Sequence, residues 1–244
     1  MARQPRDNFN TGSVGVDAAD NRRLSAAHRH RGADGAVDMR VLELLTARLC
    51  HELSGPLAAI NNGIELLAEE EAAIGFSPES SFVRDAVALV SGSACRAGSR
   101  LQFYRFAYGS AKPGANAGPP PHELARGLFE TTRIAYDFAD GVRALSAPWQ
   151  KLVCNLLPVG ADALPRGGHL ALTHPPLSIE AVGEGAILTP EAHAALVLAT
   201  PVADLTARTV QAYFTALLAR TLDCSLRVTT APERVRISVI AADR

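Results

Sequence analysis

Aromatic residues are scarce in this chain: Phe, Tyr and Trp make up 5% of its 244 residues. With Ala and Leu dominant, that composition favours helices. Lysine is nearly absent; Lys112 and Lys151 are its only two occurrences, and arginine supplies the remaining basic residues. The formal net charge of -1 excludes a nucleic-acid binder that works through bulk positive charge. No apolar run approaches the roughly 18 residues that a bilayer-spanning helix needs. The first thirty-odd residues contain Arg and Asp throughout and no apolar core of a secretory signal, so a cytoplasmic protein without membrane insertion is expected. Cys50, Cys95, Cys154 and Cys224 are widely spaced with no CxxC pair, which argues against a zinc or disulfide framework and for buried free thiols.

What is present divides the chain into four parts. Residues 1–38 mix Arg, Asp, Asn and Gly without hydrophobic periodicity and read as a disordered extension. Residues 39–109 read as a helical hairpin. Residues 110–121 (SAKPGANAGPPP) form a Pro/Gly/Ala linker. Residues 122–244 carry an α/β pattern. The fold class is therefore α+β: a long antiparallel hairpin followed by a two-layer α/β sandwich.

In the hairpin, Leu42, Leu45, Leu49, Leu53, Pro56, Ile60, Ile64 and Leu67 recur at three- and four-residue steps, which predicts a helix from Met39 to about Glu71. Gly75 ends it. Ser77-Pro78-Glu79 reads as the start of a second helix, with a capping Ser, a first-turn Pro and an acid at the positive end of the dipole. That helix runs to about Tyr108, with Phe82, Ala86, Leu89, Ser93, Ala97, Leu101 and Tyr104 along one stripe. Two helices cannot cover such stripes completely. A second copy would do so as a homodimeric four-helix bundle, with the small residues Ser91–Ser99 allowing close approach; the alternative is that the second domain covers them.

The second half predicts a helix over His122–Thr131, a strand over Arg133–Phe138 and a helix over Pro148–Leu164. Strands follow over His169–Thr173 and Leu177–Val182, then a short helix capped by Thr189-Pro190-Glu191 and a longer one over Asp204–Thr221. A hairpin of Ser225–Thr230 and Val235–Ile240 turns at Pro232-Glu233 and completes five strands.

The informative segment is Arg48-Leu49-Cys50-His51-Glu52-Leu53-Ser54-Gly55-Pro56-Leu57. At 100° per residue His51 points away from Leu42, Leu45 and Leu49, toward solvent. Its helical neighbours are Arg48, Gly55, Ala58 and Asn62, of which Gly55 and Ala58 are small, so the imidazole stands on a low face open to a bulky partner. Arg48, one turn back, is placed to neutralise a phosphoryl group on His51. Glu52 is a candidate to accept a hydrogen bond from one ring nitrogen and leave the other as nucleophile. Pro56 removes a backbone hydrogen bond and crowds the Glu52 carbonyl, at about 3 kcal/mol in an ordinary helix interior. A strong helix that keeps Gly55-Pro56 one turn after an exposed His breaks local rules, as functional sites do.

His51, Glu52 and Pro56 match the H-box of sensor histidine kinases, and Ala47–Leu67 (ARLCHELSGPLAAINNGIELL) resembles more closely the ChpT family of bacterial cell-cycle phosphorelay phosphotransferases. Leu101-Gln102-Phe103 with the aromatics to Tyr108, and Val210-Gln211-Ala212-Tyr213-Phe214, are similar to the same family. The second domain resembles a degenerate kinase ATP-binding domain. Lys151–Leu157 (KLVCNLL) looks like the start of an N-box and Pro165-Arg166-Gly167-Gly168 like its sequel. Val159 stands where the second N-box Asn belongs, Ala181 where the adenine-binding Asp belongs, and Asp204–Arg208 near the place of an absent glycine-rich lid. The resemblance implies that ATP is not bound, that Asn155 is structural and that Lys151 is a surface residue.

It further implies a histidine phosphotransferase with no cofactor of its own. His51 would be phosphorylated by the receiver domain of a hybrid histidine kinase and would pass the group to response regulators, with Mg2+ brought by the receiver. Receivers are expected to dock on Arg48, Gly55, Pro56, Ala58 and Asn62. The two competing readings are a dimeric docking scaffold without transfer and a true ATP-dependent histidine kinase. Gly55, four residues after His51 where bifunctional kinases carry Thr or Asn, puts kinase-type phosphatase activity in doubt.

Overall fold

The computed structural model describes residues 37–74, 80–109 and 119–241, and from Asp38 onward the chain forms one compact unit. Most of the 1–38 segment, Gly75, Ser77-Pro78-Glu79 and linker residues 110–118 lie outside the described residues.

Helix α1 (Met39–Ile74) is 36 residues long, about 54 Å at 1.5 Å per residue. Helix α2 (Ser81–Tyr108) returns antiparallel to it. Ser80 Oγ donates to Glu70 at 3.5 Å near the turn, and Arg100 meets Glu52 further along toward the other end. Midway, the helices touch at Gly63, where an added Cβ would lie 2.5 Å from Val90 Cγ2; only glycine permits that approach.

The rest is an α/β sandwich. α3 (Pro121–Phe129) starts on Pro121 at its first turn. Strand β1 (Ile134–Phe138) is followed by the short α4 (Asp140–Arg143) and by α5 (Ala147–Asp162). Then come β2 (Gly168–Thr173), β3 (Ser178–Val182), α6 (Pro190–Leu196), a 3₁₀ turn at Val202–Asp204, α7 (Val210–Thr221), β4 (Cys224–Ala231) and β5 (Arg234–Ala241). The sheet order is β1-β2-β3-β5-β4. β1 and β2 are parallel, joined by the α5 crossover; the remaining pairs are antiparallel. Every residue of α5 from Leu152 to Gly160 is buried. A helix apolar all round must be covered all round, and α5 is packed by β2 and β3 on one side and by α2, α3 and α7 on the other.

The α+β class and the five strands match expectation, as do the Thr189 cap, which accepts from Ala192 N at 3.2 Å, and the final hairpin. Several details differ. The longer helix begins at Val210, six residues later than Asp204, because Thr206 and Thr209 bond each other's backbone and hydroxyl groups in a tight turn. The short α4 was not legible. The apolar stripes of the hairpin are only partly buried: Leu42, Ile64, Phe82, Leu89 and Leu101 are exposed, whereas Val41, Val83 and Phe103 are core residues. The small stretch Ser91–Ser99 serves this chain's own packing in part, since Ser99 lies against Gly127 of α3 and Ser93 is fully buried. Two of the cysteines expected to be buried, Cys50 and Cys95, are exposed.

Candidate functional site

His51 projects from α1 into solvent, one turn beyond the point where that helix leaves the sandwich. Gly55, Ala58 and Asn62 are exposed on the same face, and a Cβ built on Gly55 would have nothing within 4 Å. The open, low-relief surface read from helical spacing is therefore present. Pro56 lies within the continuous α1 and is half-buried. Next to it, Ser54 Oγ donates to the Cys50 carbonyl at 2.7 Å, a back-bond of the kind that bends helices.

Two assigned partners of His51 are turned elsewhere. Arg48 Nη2 donates to Asp162 at the end of α5, 3.2 Å from Oδ2 and 3.4 Å from Oδ1, and only 13% of its side chain is exposed. Arg48 thus joins α1 to the sandwich. The reason is its place one turn toward the sandwich, where burial desolvates a long cation at a cost that a paired carboxylate offsets. Glu52 does not reach His51; its carboxylate pairs with Arg100 of α2. Adjacent residues on a helix diverge by 100°, so when His51 faces out Glu52 faces sideways, toward the second helix.

Arg100 and Asp162 were missed in the sequence. The signal for Arg100 was indirect: Pro56 takes away the donor to the Glu52 carbonyl, which demands another, but nothing in sequence chooses Arg100 over Arg96. Below this pair Tyr104 is buried, and its phenol is pushed up to about 12, first by desolvation and then by the nearby Glu52 carboxylate.

The residues that resemble a nucleotide site are placed otherwise. Asn155 is fully buried; its Nδ2 donates to Ala107 O at 2.8 Å and Lys151 O at 2.9 Å, and its Oδ1 accepts from Gln211 Nε2 at 3.1 Å. Lys151 is half-buried rather than a free surface lysine. Its Nζ donates to Gly109 O at 2.7 Å at the end of α2, and desolvation lowers its pKa. Ala181 is buried in β3 between Leu170 and Val235. Val159 is buried too and lines, with Arg48, Asp162, Thr189, Arg208 and Thr209, a cleft of about 310 Å³.

Comparison with known proteins bears on this arrangement. The profile of the histidine phosphotransferase C-terminal domain matches residues 121–234. The protein phosphotransferase ChpT of Brucella abortus (strain 2308) is 33% identical over 210 residues, covering 80% of this chain and 92% of that one. The chain belongs to the ChpT family of histidine phosphotransferases. Its activity is accordingly phosphorelay phosphotransfer through histidine. A solved bacterial phosphotransferase shares the fold of this family member, with a TM-score of 0.66 and 28% identity over 84% of this chain and 98% of that one. No described helix is long and apolar enough to cross a membrane.

Proposed function

We propose that His51 is the phosphoryl carrier, loaded by the receiver domain of a hybrid histidine kinase and unloaded onto response regulators in a cytoplasmic, cell-cycle phosphorelay. The observation that carries this reading is the open face around His51, with an exposed imidazole beside bare Gly55 and exposed Ala58 and Asn62. Gly55, Pro56, Ala58 and Asn62 form the docking surface. A ring nitrogen of His51 attacks the phosphorus of the receiver's aspartyl phosphate. The N–P bond forms as the P–O bond breaks, and the aspartate leaves as a free carboxylate. The second transfer reverses these bonds on another receiver. A magnesium ion bound in the receiver would supply neutralisation of the phosphoryl charge, and this chain supplies alignment.

ATP takes no part in this reading. Its support is the engagement of Asn155 in a buried clasp and the apolar Val159 and Ala181 at the positions where a nucleotide site needs polar groups. The working unit is a homodimer. Leu57, Ile64, Phe82, Val87 and Leu89 leave apolar surface on both hairpin helices that a second hairpin would cover as a four-helix bundle.

The test mixes the full chain with receiver domains phosphorylated by labelled acetyl phosphate and, separately, with labelled ATP and magnesium, for wild type and His51→Ala. Label taken from a receiver by wild type alone, and none from ATP, is the expected result. Label arriving from ATP would restore the kinase reading. Binding of receivers without any transfer would leave a docking scaffold.

A further inference from the structure

We propose that Arg100 is the positioning residue of the transfer site. It clamps both acceptors of Glu52 and so fixes the helical turn that carries His51. The inference rests on the reading of His51 as phosphoryl carrier and adds a residue from the other helix to it.

The argument begins at Pro56. In an α-helix the N–H of residue 56 bonds the carbonyl of residue 52, and proline has no N–H to give. The carbonyl so deprived belongs to Glu52, the residue next to His51. An unpartnered carbonyl against a second helix is unfavourable and leaves its peptide plane free to tilt. Arg100 Nη1 donates to this carbonyl at 3.1 Å and also to the Glu52 carboxylate. One nitrogen with two hydrogens thus serves two acceptors, one backbone and one side chain. Arg100 is 21% exposed and Glu52 25%, so the contact is sheltered rather than a loose surface pair. The neighbouring cations are otherwise committed, Arg48 to Asp162 and Arg96 to Ser93 Oγ.

The consequence concerns geometry more than charge. A transfer site works when the reacting atoms are held close to their productive positions, and a misplacement near 1 Å is enough to slow a reaction about a hundredfold. The helix is weakest where Gly55-Pro56 interrupts its bonding, and the imidazole sits within one turn of that break. Arg100 replaces the missing backbone bond from outside the helix. The open docking face at Gly55 and Pro56 can then remain without loosening His51.

The experiment uses the full chain and a panel of receiver domains from the same organism, each phosphorylated with acetyl phosphate. Arg100→Met is expected to lower the transfer rate at saturating receiver by about 10- to 100-fold and to change the half-saturating receiver concentration by less than about threefold. Arg100→Lys, which keeps a cationic donor, recovers most of the rate. In the Pro56→Ala background the Glu52 carbonyl regains its own N–H, so Arg100→Met has a smaller effect there. A wild-type rate in Arg100→Met, a loss confined to half-saturation, or equal losses in both backgrounds overturns the proposal. Should Arg100→Met not fold, Arg100→Gln takes its place, with about a 3- to 10-fold loss expected and the same overturning results. Label retained by His51→Ala, or none taken by wild type, would instead overturn the reading of His51. The clamp is then judged on thermal unfolding: Arg100→Met lowers Tm by about 2–4 °C beside Pro56 and by less than half of that in the Pro56→Ala background. Equal shifts would remove the clamp as well.

Discussion

The two ends of the helical hairpin are built differently. At the end shared with the sandwich, Val41, Leu45, Phe103, Tyr104 and Ala107 are all 5% exposed or less. A chain of hydrogen bonds crosses the junction there: Tyr108 to Gln211 at 2.6 Å, Gln211 to Asn155, and Asn155 to the Ala107 carbonyl. Along the same path Tyr104 packs at a tilt on Tyr108, which meets Phe214 edge to face. At the far end, Leu57, Ile64, Phe82, Val87 and Leu89 are between 39% and 53% exposed. One end is finished within the chain; the other leaves large apolar side chains uncovered. His51 lies between them, one turn beyond Arg48, which bonds Asp162 of the sandwich, and before the bare apolar face. A buried polar network specifies one orientation, so the junction holds the sandwich at a fixed place relative to His51.

The contrast is broken most decisively at the far end. Leu57→Glu with Ile64→Glu is expected to halve the mass measured by sedimentation and leave the sandwich folded; an unchanged mass would mean that these residues are not the dimer contact. Next are the exposed positions beside His51. Gly55→Arg or Ala58→Glu should reduce transfer by about a hundredfold or more while moving stability by no more than about 0.5 kcal/mol. Unchanged transfer in either would dismiss the docking face. At the junction the signs reverse. Asn155→Leu strands the Ala107 carbonyl and takes away one of the three acceptors near Gln211 Nε2, and urea unfolding should show a loss of about 2–3 kcal/mol with the mass in solution unchanged.

The sequence made some of this legible and hid the rest. Periodicity located α1 and α2 and placed His51 outside, because those inferences need only the helical repeat. The same periodicity overcounted the core: Leu42, Ile64, Phe82, Leu89 and Leu101 fit the stripe, yet this chain does not bury them. Apolar character marks surface to be covered and does not say by which molecule. The chemistry of single residues was read less well than their direction. Arg48 and Glu52 were assigned to His51 by nearness in sequence, but long charged side chains find partners across space, in Asp162 and Arg100. Lys151 read as a surface residue because nothing local reveals that the end of α2 needs a donor for Gly109 O. Asn155 was placed correctly as structural, by the absence of the residues that would have made it a ligand.

The smallest expected effect sharpens the account of the junction through its pH dependence. Burial raises the phenol pKa of both tyrosines above the ordinary value of 10.0, Tyr104 to about 12 and Tyr108 further still. In the unfolded chain both titrate near 10. The folded state therefore holds two protons that the unfolded chain releases as pH rises past 10. Their contribution to stability is complete below that pH and is lost as pH climbs toward and beyond 12. Tyr108→Phe removes one of the two groups, so stability should fall less steeply above pH 10 than in wild type. At neutral pH the same variant gives up the 2.6 Å bond to Gln211, a loss of about 1 kcal/mol. Urea midpoints measured from pH 7 to 11 separate the two effects. A lower midpoint at pH 7 with a flatter alkaline decline is the expected pair. Parallel declines in both proteins would mean that the Tyr108 hydroxyl is hydrated, and that the junction is less closed than the far end is open.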